Sequence, residues 1–205
     1  MVLIIDRAGI VGEDGVTHQG LFDIAYLRSL PHLVVMAPKD GQELEKMLEF
    51  ALKLDKPVSI RYPKSVIPLS GFPVSPLELG KAEVLREGGD FALVALGSMV
   101  EPSLEAIELL EKEGLKGTLI NARFIKPLDI DLFKKVSTKI KAIFTIEEGV
   151  LDAGFGSALQ EGLNRAVYRL GLPLEFIAHG KRKILLEKYG LDAVGISQKI
   201  KQCLR

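Results

Sequence analysis

Three chemically active side chains are concentrated in one glycine-rich segment near the start of the sequence. Arg7, Asp14 and His18 lie within residues 6–20 (DRAGIVGEDGVTHQG), just after the apolar run at residues 2–5. An arginine can bind a phosphate or carboxylate through two parallel hydrogen bonds. A histidine exchanges protons near neutral pH, and Asp14 could orient a histidine or bind a substrate hydroxyl. The segment therefore predicts a site for a small anionic ligand.

Arg61 is the second candidate ligand for an anion, because it ends the strand predicted at residues 57–61. Ligands of open α/β sheets bind at the carboxyl ends of the strands. If residues 2–5 and 57–61 are parallel strands of one sheet, Arg7 and Arg61 open onto the same edge. The glycines of residues 6–20 would let the backbone turn sharply and approach a ligand closely.

A purely structural interpretation of the same segment stays open. Gly-x-Asp-Gly is a common turn sequence, and Asp14 or Thr17 could serve only to cap a helix. Arg7 would then be a surface partner in an ion pair. Residue spacing alone does not decide between a turn and a binding site.

The elements around this segment follow a β-α-β-α-β order. Apolar runs without alternation predict strands buried on both faces, as in a parallel sheet. Asp40 and Glu43 form a capping-box pattern, and apolar residues recur behind them at helical spacing. Right-handed crossovers turn this order into a parallel sheet. The predicted strands are residues 2–5, 33–36 and 57–61, and the predicted helices are residues 20–29 and a longer helix after Asp40.

A proline-rich stretch separates this unit from a second one. Four prolines fall within residues 63–76, which is typical of a linker between domains. We therefore predict a first unit at residues 1–63, a linker at 64–80 and a second unit at 81–205. The second unit alternates strands with helices, which predicts a largely parallel sheet covered by helices. Its predicted strands are residues 82–86, 91–96, 118–121, 142–146 and 174–177, and its predicted helices are residues 102–112, 129–136, 157–170, 182–189 and 197–204.

The first unit is small for an independent domain. A unit of about 60 residues with three strands leaves its sheet poorly covered. A strand of the buried type also appears as early as residue 2. We therefore expect that further strands and helices precede Met1, and that the first unit is the C-terminal part of a larger domain.

Composition argues against several classes of partner. The 27 basic residues balance the 27 acidic residues, so no net charge favours nucleic acid or an anionic membrane. No apolar run approaches the roughly 20 residues of a membrane span, and the start of the sequence lacks a signal-peptide pattern. The single cysteine, Cys203, fits a reducing compartment. We expect a cytoplasmic protein without nucleic-acid or membrane partners.

The second unit offers further polar patterns. Glu147 and Glu148 could form a paired-carboxylate site, but a turn with capping acids before a helix is favoured. The sequence GFGS at residues 154–157 could bind an anion at a helix N-terminus, although it is too short for a nucleotide-binding fingerprint. His32 and His179 have no partners at metal-ligand spacing, so no metal site is predicted.

Several motifs together resemble one enzyme family. The pattern DRAG-x-VG-x-DG-x-THQG-x-FD-x-x-YLR, followed by RYP, resembles the pyrimidine-binding domain of the 1-deoxy-D-xylulose-5-phosphate synthases. The motifs GDFALVALGSMV, NARFIKPLD and TIEEG resemble the transketolase C-terminal domain. The likeness covers nearly the whole chain. It implies an α/β fold in which a truncated, parallel-sheet pyrimidine-binding domain is followed by a transketolase C-terminal-like domain.

The resemblance implies a thiamine-diphosphate enzyme of the transketolase superfamily. Such synthases add pyruvate to the cofactor, release CO₂ and transfer the remaining two carbons to glyceraldehyde 3-phosphate, for isoprenoid, thiamine and pyridoxal synthesis. By the resemblance, Arg7 and Arg61 bind the triose phosphate, and Asp14 and His18 face the adduct derived from pyruvate. The superfamily's C-terminal domain mainly supports dimer contacts, which implies a homodimer.

Two departures from the family pattern bear on these implications. Lys64 stands where family members often have arginine, which keeps the charge but loses the planar fork. The family's diphosphate site uses Gly-Asp-Gly and a later asparagine, whose oxygens suit Mg²⁺. By the resemblance, that asparagine lies roughly 25 to 30 residues after Gly-Asp-Gly. Neither Asn121 nor Asn164 lies at that distance from Asp14. We therefore expect thiamine diphosphate and Mg²⁺ in the full-length enzyme, cofactor elements upstream of Met1, and no synthase activity from this chain alone.

Two alternatives to a synthase fragment remain open. The chain could be the C-terminal half of a split transketolase or of a 2-oxoacid dehydrogenase β subunit, although DRAG favours the synthase. It could also act as a non-catalytic dimerisation or binding module.

Overall fold

A computed structural model of the chain describes residues 1–66 and 69–204. Pro68, one of the prolines of the predicted linker, lies outside the described residues. The strands are β1 (Val2–Ile5), β2 (Val34–Met36), β3 (Val58–Arg61), β4 (Glu83–Arg86), β5 (Phe91–Ala95), β6 (Gly117–Asn121), β7 (Phe124–Lys126), β8 (Ile143–Val150) and β9 (Tyr168–Leu172). The helices are α1 (Asp23–Ser29), α2 (Gly41–Lys53), α3 (Val100–Glu111), α4 (Ile130–Lys139), α5 (Phe155–Leu163), α6 (Arg182–Lys188) and α7 (Ala193–Leu204). Among the helices of these described ranges, none is both long enough and apolar enough to cross a bilayer.

The first sheet has the strand order β1-β3-β2-β7. Strands β1, β3 and β2 are parallel, as the β-α-β-α-β pattern predicts. Strand β7 was not predicted, and it joins this sheet antiparallel to β2 although it comes from the second unit. A sheet that contains a strand from each unit fixes the two units against each other.

Strand β1 lies at the edge of the first sheet. Leu3 is 39% exposed and Ile4 is 48% exposed, so neither face of the strand is fully covered. The prediction that both faces of this strand are buried is therefore wrong for the described chain. The physical reason is that β1 pairs with β3 on one side only within the residues described.

The second sheet has the strand order β4-β6-β5-β8-β9. Strand β4 is antiparallel to β6, and the other pairings are parallel, which confirms the largely parallel prediction. The central strand β5 is completely buried. Its side chains on the two faces belong to separate apolar clusters, so helices cover the sheet on both sides.

Two predicted elements at the end of the second sheet were wrong. The helix predicted at residues 157–170 ends at Leu163, because Asn164 takes a left-handed conformation with φ of 49°. The last strand is β9 at Tyr168–Leu172 and not residues 174–177, which lie outside any strand. Leu174 and Phe176 are 64% and 76% exposed.

A buried polar cluster connects the two units. Asp40 caps α2 by accepting from the Glu43 N–H, as predicted, but Glu43 accepts from the Lys39 N–H, one residue before the cap, so the reciprocal bond of a capping box is displaced. The same Glu43 carboxylate accepts from Arg123 Nε at 2.8 Å and from Asn121 Nδ2 at 3.0 Å. A buried charge needs such partners to offset its desolvation. The contact fixes α2 of the first unit to residues 121–123 of the second.

Candidate functional site

The carboxyl ends of β1 and β3 meet at one edge of the first sheet. Ile5 pairs with Arg61 in the parallel register, and the Ala8 N–H donates to the Tyr62 carbonyl at 3.0 Å. The segments that carry Arg7 and Lys64 therefore leave the sheet at the same edge. This agrees with the expected position of a ligand site in an open α/β sheet.

The opening loop, residues 6–22, is closed on itself by backbone pairing. The N–H groups of Gly9 and Gly20 each donate to the other's carbonyl, at 2.7 and 2.9 Å. A Cβ on Gly20 would collide with the Arg7 carbonyl, so this close approach requires glycine. The Gln19 side-chain oxygen also accepts from the Val11 N–H at 2.9 Å. The loop is a structured platform, and α1 begins after it at Asp23, later than predicted.

Asp14 lies between two exposed cations. Arg7 donates from Nε to Asp14 at 2.9 Å, and Lys64 donates from Nζ to both Asp14 oxygens at 2.7 and 2.8 Å. The side chains of Arg7 and Lys64 are 42% and 54% exposed. The hydrogen bonds from Lys64 and Arg7 lower the pKa of Asp14. Asp14 is thus an ion-pair partner and does not cap a helix, which settles the capping alternative against Asp14.

The sequence patterns do not predict Lys64 as a ligand, and it stands out there only as a departure from the family pattern. The feature that could have predicted it is its position, three residues after Arg61 at the end of a predicted strand. The structure places its ammonium group beside Asp14 because the chain leaves β3 at the same edge as the opening loop leaves β1.

Arg61 lies beneath this platform rather than on it. Its side chain is 5% exposed, and it pairs with Asp23 through Nε at 2.7 Å and Nη2 at 3.2 Å. Nη2 also donates to the Glu148 carbonyl at 3.1 Å. The sequence predicts that Arg7 and Arg61 both open onto this edge of the sheet. This is corrected for Arg61, because its guanidinium group is buried and bonded to Asp23 and to the Glu148 carbonyl.

His18 is exposed at the end of the second short turn of the loop. Its Nδ1 forms a hydrogen bond of 3.1 Å with the Thr17 hydroxyl. Among the side-chain hydrogen bonds of residues 1–66 and 69–204, the His18 ring is bonded to Thr17 and neither to Asp14 nor to Arg7. Thr17 does not cap a helix.

Glu147 and Glu148 lie within β8 and not in the predicted turn, and both are buried. Adjacent residues of a strand point to opposite faces, so their carboxylates do not form a catalytic pair. Glu147 caps α5 by accepting from the N–H groups of Phe155 and Gly156 at 2.7 and 2.8 Å. Burial raises the pKa of Glu147 to about 7. The N–H groups of GFGS that could have bound an anion are thus bonded to a side chain of the protein itself.

The described residues do not fit a diphosphate-bound Mg²⁺. Within residues 1–66 and 69–204, no three His, Cys, Asp or Glu side chains come together as metal ligands. The Asp14 oxygens are engaged by Arg7 and Lys64, and the Asn121 amide is bonded to Glu43. A Mg²⁺ site needs oxygen ligands that are free to replace the waters of the ion. The Asp14 carboxylate and the Asn121 amide are not free in this way.

Two domain families match the sequence. The pyrimidine-binding domain of transketolase matches residues 1–69, and the C-terminal domain of transketolase matches residues 80–196. The two matches are separated by residues 70–79, within the proline-rich stretch.

Similar proteins carry names from the same family. The 1-deoxy-D-xylulose-5-phosphate synthase of Heliobacterium modesticaldum is 46% identical over 97% of this chain, which covers 32% of that protein. The enzyme of that name from Caldanaerobacter subterraneus subsp. tengcongensis is 46% identical over 98% of this chain, which covers 33% of that protein. The chain thus spans about a third of the length of these relatives.

The fold also matches solved structures. A split-gene transketolase, described as an inactive beta4 tetramer, superposes with a TM-score of 0.91 at 31% identity, over 99% of this chain and 66% of the other. Transketolase from Campylobacter jejuni superposes with a TM-score of 0.79 at 23% identity, over 98% of this chain and 31% of the other, and supports the fold alone. Because the C-terminal domain of transketolase matches more than half of the chain and the pyrimidine-binding domain matches the part before it, the chain belongs to the transketolase family.

Proposed function

We propose that this chain forms part of a thiamine-diphosphate-dependent synthase that condenses pyruvate with glyceraldehyde 3-phosphate to 1-deoxy-D-xylulose 5-phosphate and CO₂. The relatives at 46% identity carry this enzyme's name, but the chain covers only about a third of each. In the complete enzyme, thiamine diphosphate would supply the electron sink that allows the bond between the carboxylate carbon and the carbonyl carbon of pyruvate to break. This chain contributes side chains that bind and orient the triose phosphate.

The observation that carries the proposal is the arrangement of Arg7 and Lys64 around Asp14. Both cations are partly exposed and reach the same carboxylate at the carboxyl edge of the sheet. A phosphate dianion placed there would meet one planar guanidinium and one ammonium group. We therefore extend the predicted phosphate clamp to include Lys64.

Arg61 remains a proposed substrate-binding residue with a different route of action. In its ion pair with Asp23 it supports the edge of the sheet from which Lys64 leaves three residues later. Direct contact with a phosphate would require the ion pair with Asp23 to open. The proposal therefore assigns the exposed contacts to Arg7 and Lys64.

Asp14 and His18 are proposed to act on the part of the substrate that reacts. The flanking cations lower the pKa of Asp14, so Asp14 is a carboxylate at neutral pH and accepts hydrogen bonds from substrate hydroxyls. His18 uses Nδ1 toward Thr17, which assigns proton exchange with a substrate to Nε2. Activity from the chain alone is not expected, and a homodimer in the cytoplasm remains our prediction.

Phosphate-ester binding by the 205-residue chain tests the proposal. Isothermal titration with sn-glycerol 3-phosphate would compare the wild type with Arg7→Ala and Lys64→Met, and with Lys201→Met as control. Lys201 also makes an exposed ion pair, with Glu113 at 2.8 Å. Because a charge-assisted hydrogen bond contributes about 1.5–3 kcal/mol, each clamp variant should weaken binding about tenfold or more, and the control should not. Equal affinity of all four proteins would refute the clamp.

A subunit of a split transketolase is the alternative favoured by one specific observation. The split-gene transketolase superposes over 99% of this chain and 66% of its own, whereas the synthase relatives are covered to only about a third. The two functions can be distinguished by adding the separately produced N-terminal part of a relative to this chain and measuring turnover. Turnover of pyruvate with glyceraldehyde 3-phosphate supports the synthase, and transfer from a ketose phosphate without pyruvate supports the transketolase.

A further inference from the structure

We propose that Glu148 is a positioning residue for the loop that carries Arg7 and Asp14, acting from the second unit through the backbone of Ile10. This inference deepens the proposed function and rests on it for the identity of the ligand. Glu148 lies in β8 and is 1% exposed, so it acts on the loop without reaching the ligand itself.

The second unit holds the Glu148 carboxylate on one side. Ser98 donates its hydroxyl to Oε2 at 2.9 Å. Arg182 donates from Nη2 to Oε2 at 2.5 Å and from Nε to Oε1 at 3.2 Å. Ser98 lies in the turn after β5 and Arg182 begins α6, so the carboxylate is fixed from two further elements. A carboxylate bound by a guanidinium fork has little freedom to rotate.

The first unit meets the carboxylate on its other side. Oε1 accepts from the Ile10 N–H at 2.7 Å, between residues 138 positions apart in the sequence. Gly9 has a φ of +80°, and a Cβ there would stand 2.5 Å from the Glu148 Cδ. The carboxylate therefore packs directly against the bare Cα of the loop, a contact that only glycine permits. Ile10 lies between Arg7 and Asp14 in the sequence, so the bond from its N–H to Glu148 fixes the backbone of the loop from which both side chains extend.

The main chain of Glu148 reaches the neighbouring edge of the sheet. Its carbonyl accepts from Arg61 Nη2 at 3.1 Å, and Arg61 is paired with Asp23. One residue of β8 thus contacts both segments of the proposed clamp, through its side chain at the opening loop and through its backbone at the end of β3. A second backbone contact, from the Gly180 N–H to the Gly12 carbonyl at 3.3 Å, holds the same loop on the second unit.

Two variants separate positioning from general stabilisation. Glu148→Gln keeps an oxygen that can accept from the Ile10 N–H but loses the charge opposite Arg182. Glu148→Ala removes both contacts. Glu113→Gln is the matched control, because Glu113 also pairs with a cation, Lys201, but on an exposed surface away from the loop.

The primary measurement is amide hydrogen exchange and the ¹H–¹⁵N shift of Ile10 in the 205-residue chain. We expect Glu148→Ala to speed exchange at Ile10 about tenfold beyond any change at the Phe155 amide, which reports β8 and α5 independently. Glu148→Gln should restore much of the protection at Ile10. The Glu113→Gln spectrum should match the wild type at Ile10.

The second measurement is the affinity for sn-glycerol 3-phosphate. We expect a loss of about tenfold for Glu148→Ala, a smaller loss for Glu148→Gln and none for Glu113→Gln. Unchanged Ile10 exchange in Glu148→Ala, or equal loss of protection at Ile10 and Phe155, would overturn the positioning role. If the wild type fails to bind the phosphate ester, the proposed function fails, and the Ile10 measurement still decides whether Glu148 positions the loop.

Discussion

Arg61 and Asp23 form a two-point ion pair in the interior, with Nε–Oδ2 and Nη2–Oδ1 distances of 2.7 and 3.2 Å. Their side chains are 5% and 4% exposed. The pair ties the end of β3 to the start of α1. An arginine predicted from sequence to bind substrate is therefore also part of the folded framework, and its substitution alters both.

Removal of one partner of this pair should strongly destabilise the fold. Asp23→Ala leaves the Arg61 charge buried without its carboxylate, which is expected to cost about 3–5 kcal/mol of unfolding free energy. Glu161→Ala breaks an ion pair with Arg28 in which Glu161 is 67% exposed, and should cost less than about 1 kcal/mol. Urea unfolding of both variants measures the difference, and losses of similar size would contradict the interpretation.

The buried carboxyl group of Glu147 should make stability depend on pH. Burial raises its pKa from 4.5 to about 7 in the folded chain. Between these values the unfolded chain releases the proton while the folded chain keeps it, so folding binds a proton. The contribution of Glu147 is therefore fully present below pH 4.5 and is lost as pH rises to about 7, by about 3 kcal/mol in total.

The Glu147→Gln variant isolates this effect. Its single amide oxygen can accept from one of the two α5 N–H groups, that of Phe155 or that of Gly156, and the amide does not titrate. The difference in unfolding free energy between wild type and variant should change by about 3 kcal/mol from pH 4.5 to 7.5 in favour of the variant. A difference that stays constant over this range would show that the Glu147 carboxyl group has the same pKa in the folded and unfolded chains.

The strands that end at the site were predictable because Val and Ile dominate them, although Ser59 interrupts the second. The runs at residues 2–5 and 57–61 became parallel neighbours, and the edge they share carries Arg7 and Lys64 as a result. Strand β7 escaped prediction because three residues give no periodicity, and their place in the sheet depends on contacts with β2. The helix was predicted to extend to residue 170, but it ends before Asn164, which adopts a left-handed conformation. The spacing of residues in the sequence does not reveal that conformation.

The partners of the buried charges could not be predicted from spacing. Asp23 and Arg61 are 38 positions apart, and only the folded sheet brings α1 against the end of β3. The adjacency of Glu147 and Glu148 in the sequence suggests a pair of carboxylates. In a strand, adjacency sends the side chains to opposite faces, one to the α5 N-terminus and one to Ile10.

A side chain at Gly12 should damage the contact between the loop and the second unit. Gly12 has a φ of +48°, and a Cβ there would collide with the Gly180 carbonyl. Gly114 also has a positive φ, of +88°, but a Cβ there meets nothing within 4 Å. We expect Gly114→Ala to cost about 1 kcal/mol from backbone strain alone.

Gly12→Ala should cost at least about 1 kcal/mol more than the control, because backbone atoms must also move apart. Thermal and urea unfolding give the stabilities, and amide exchange at Gly180 reports the contact directly. If the two substitutions were equally costly and Gly180 stayed protected, the loop would not depend on this approach.

Asp14→Asn should strengthen the binding of phosphate esters. In the free chain the Asp14 carboxylate occupies the hydrogen bonds of both Arg7 and Lys64. A phosphate dianion must compete with this carboxylate, whose lowered pKa keeps it ionised at neutral pH. Neutralising it should free both cations and tighten the affinity for sn-glycerol 3-phosphate about three- to tenfold at pH 7.5.

Asp6→Asn is the matched control for this prediction. Asp6 pairs with Arg7 at 3.0 Å and is 61% exposed. Its neutralisation removes a similar negative charge but leaves Lys64 and Arg7 bound to Asp14, so we expect a smaller gain in affinity. Weaker binding by Asp14→Asn would instead mean that hydrogen bonds from the ligand hydroxyls to the carboxylate outweigh its competition with the phosphate, and that Arg7 and Lys64 serve to orient Asp14 rather than to hold the phosphate.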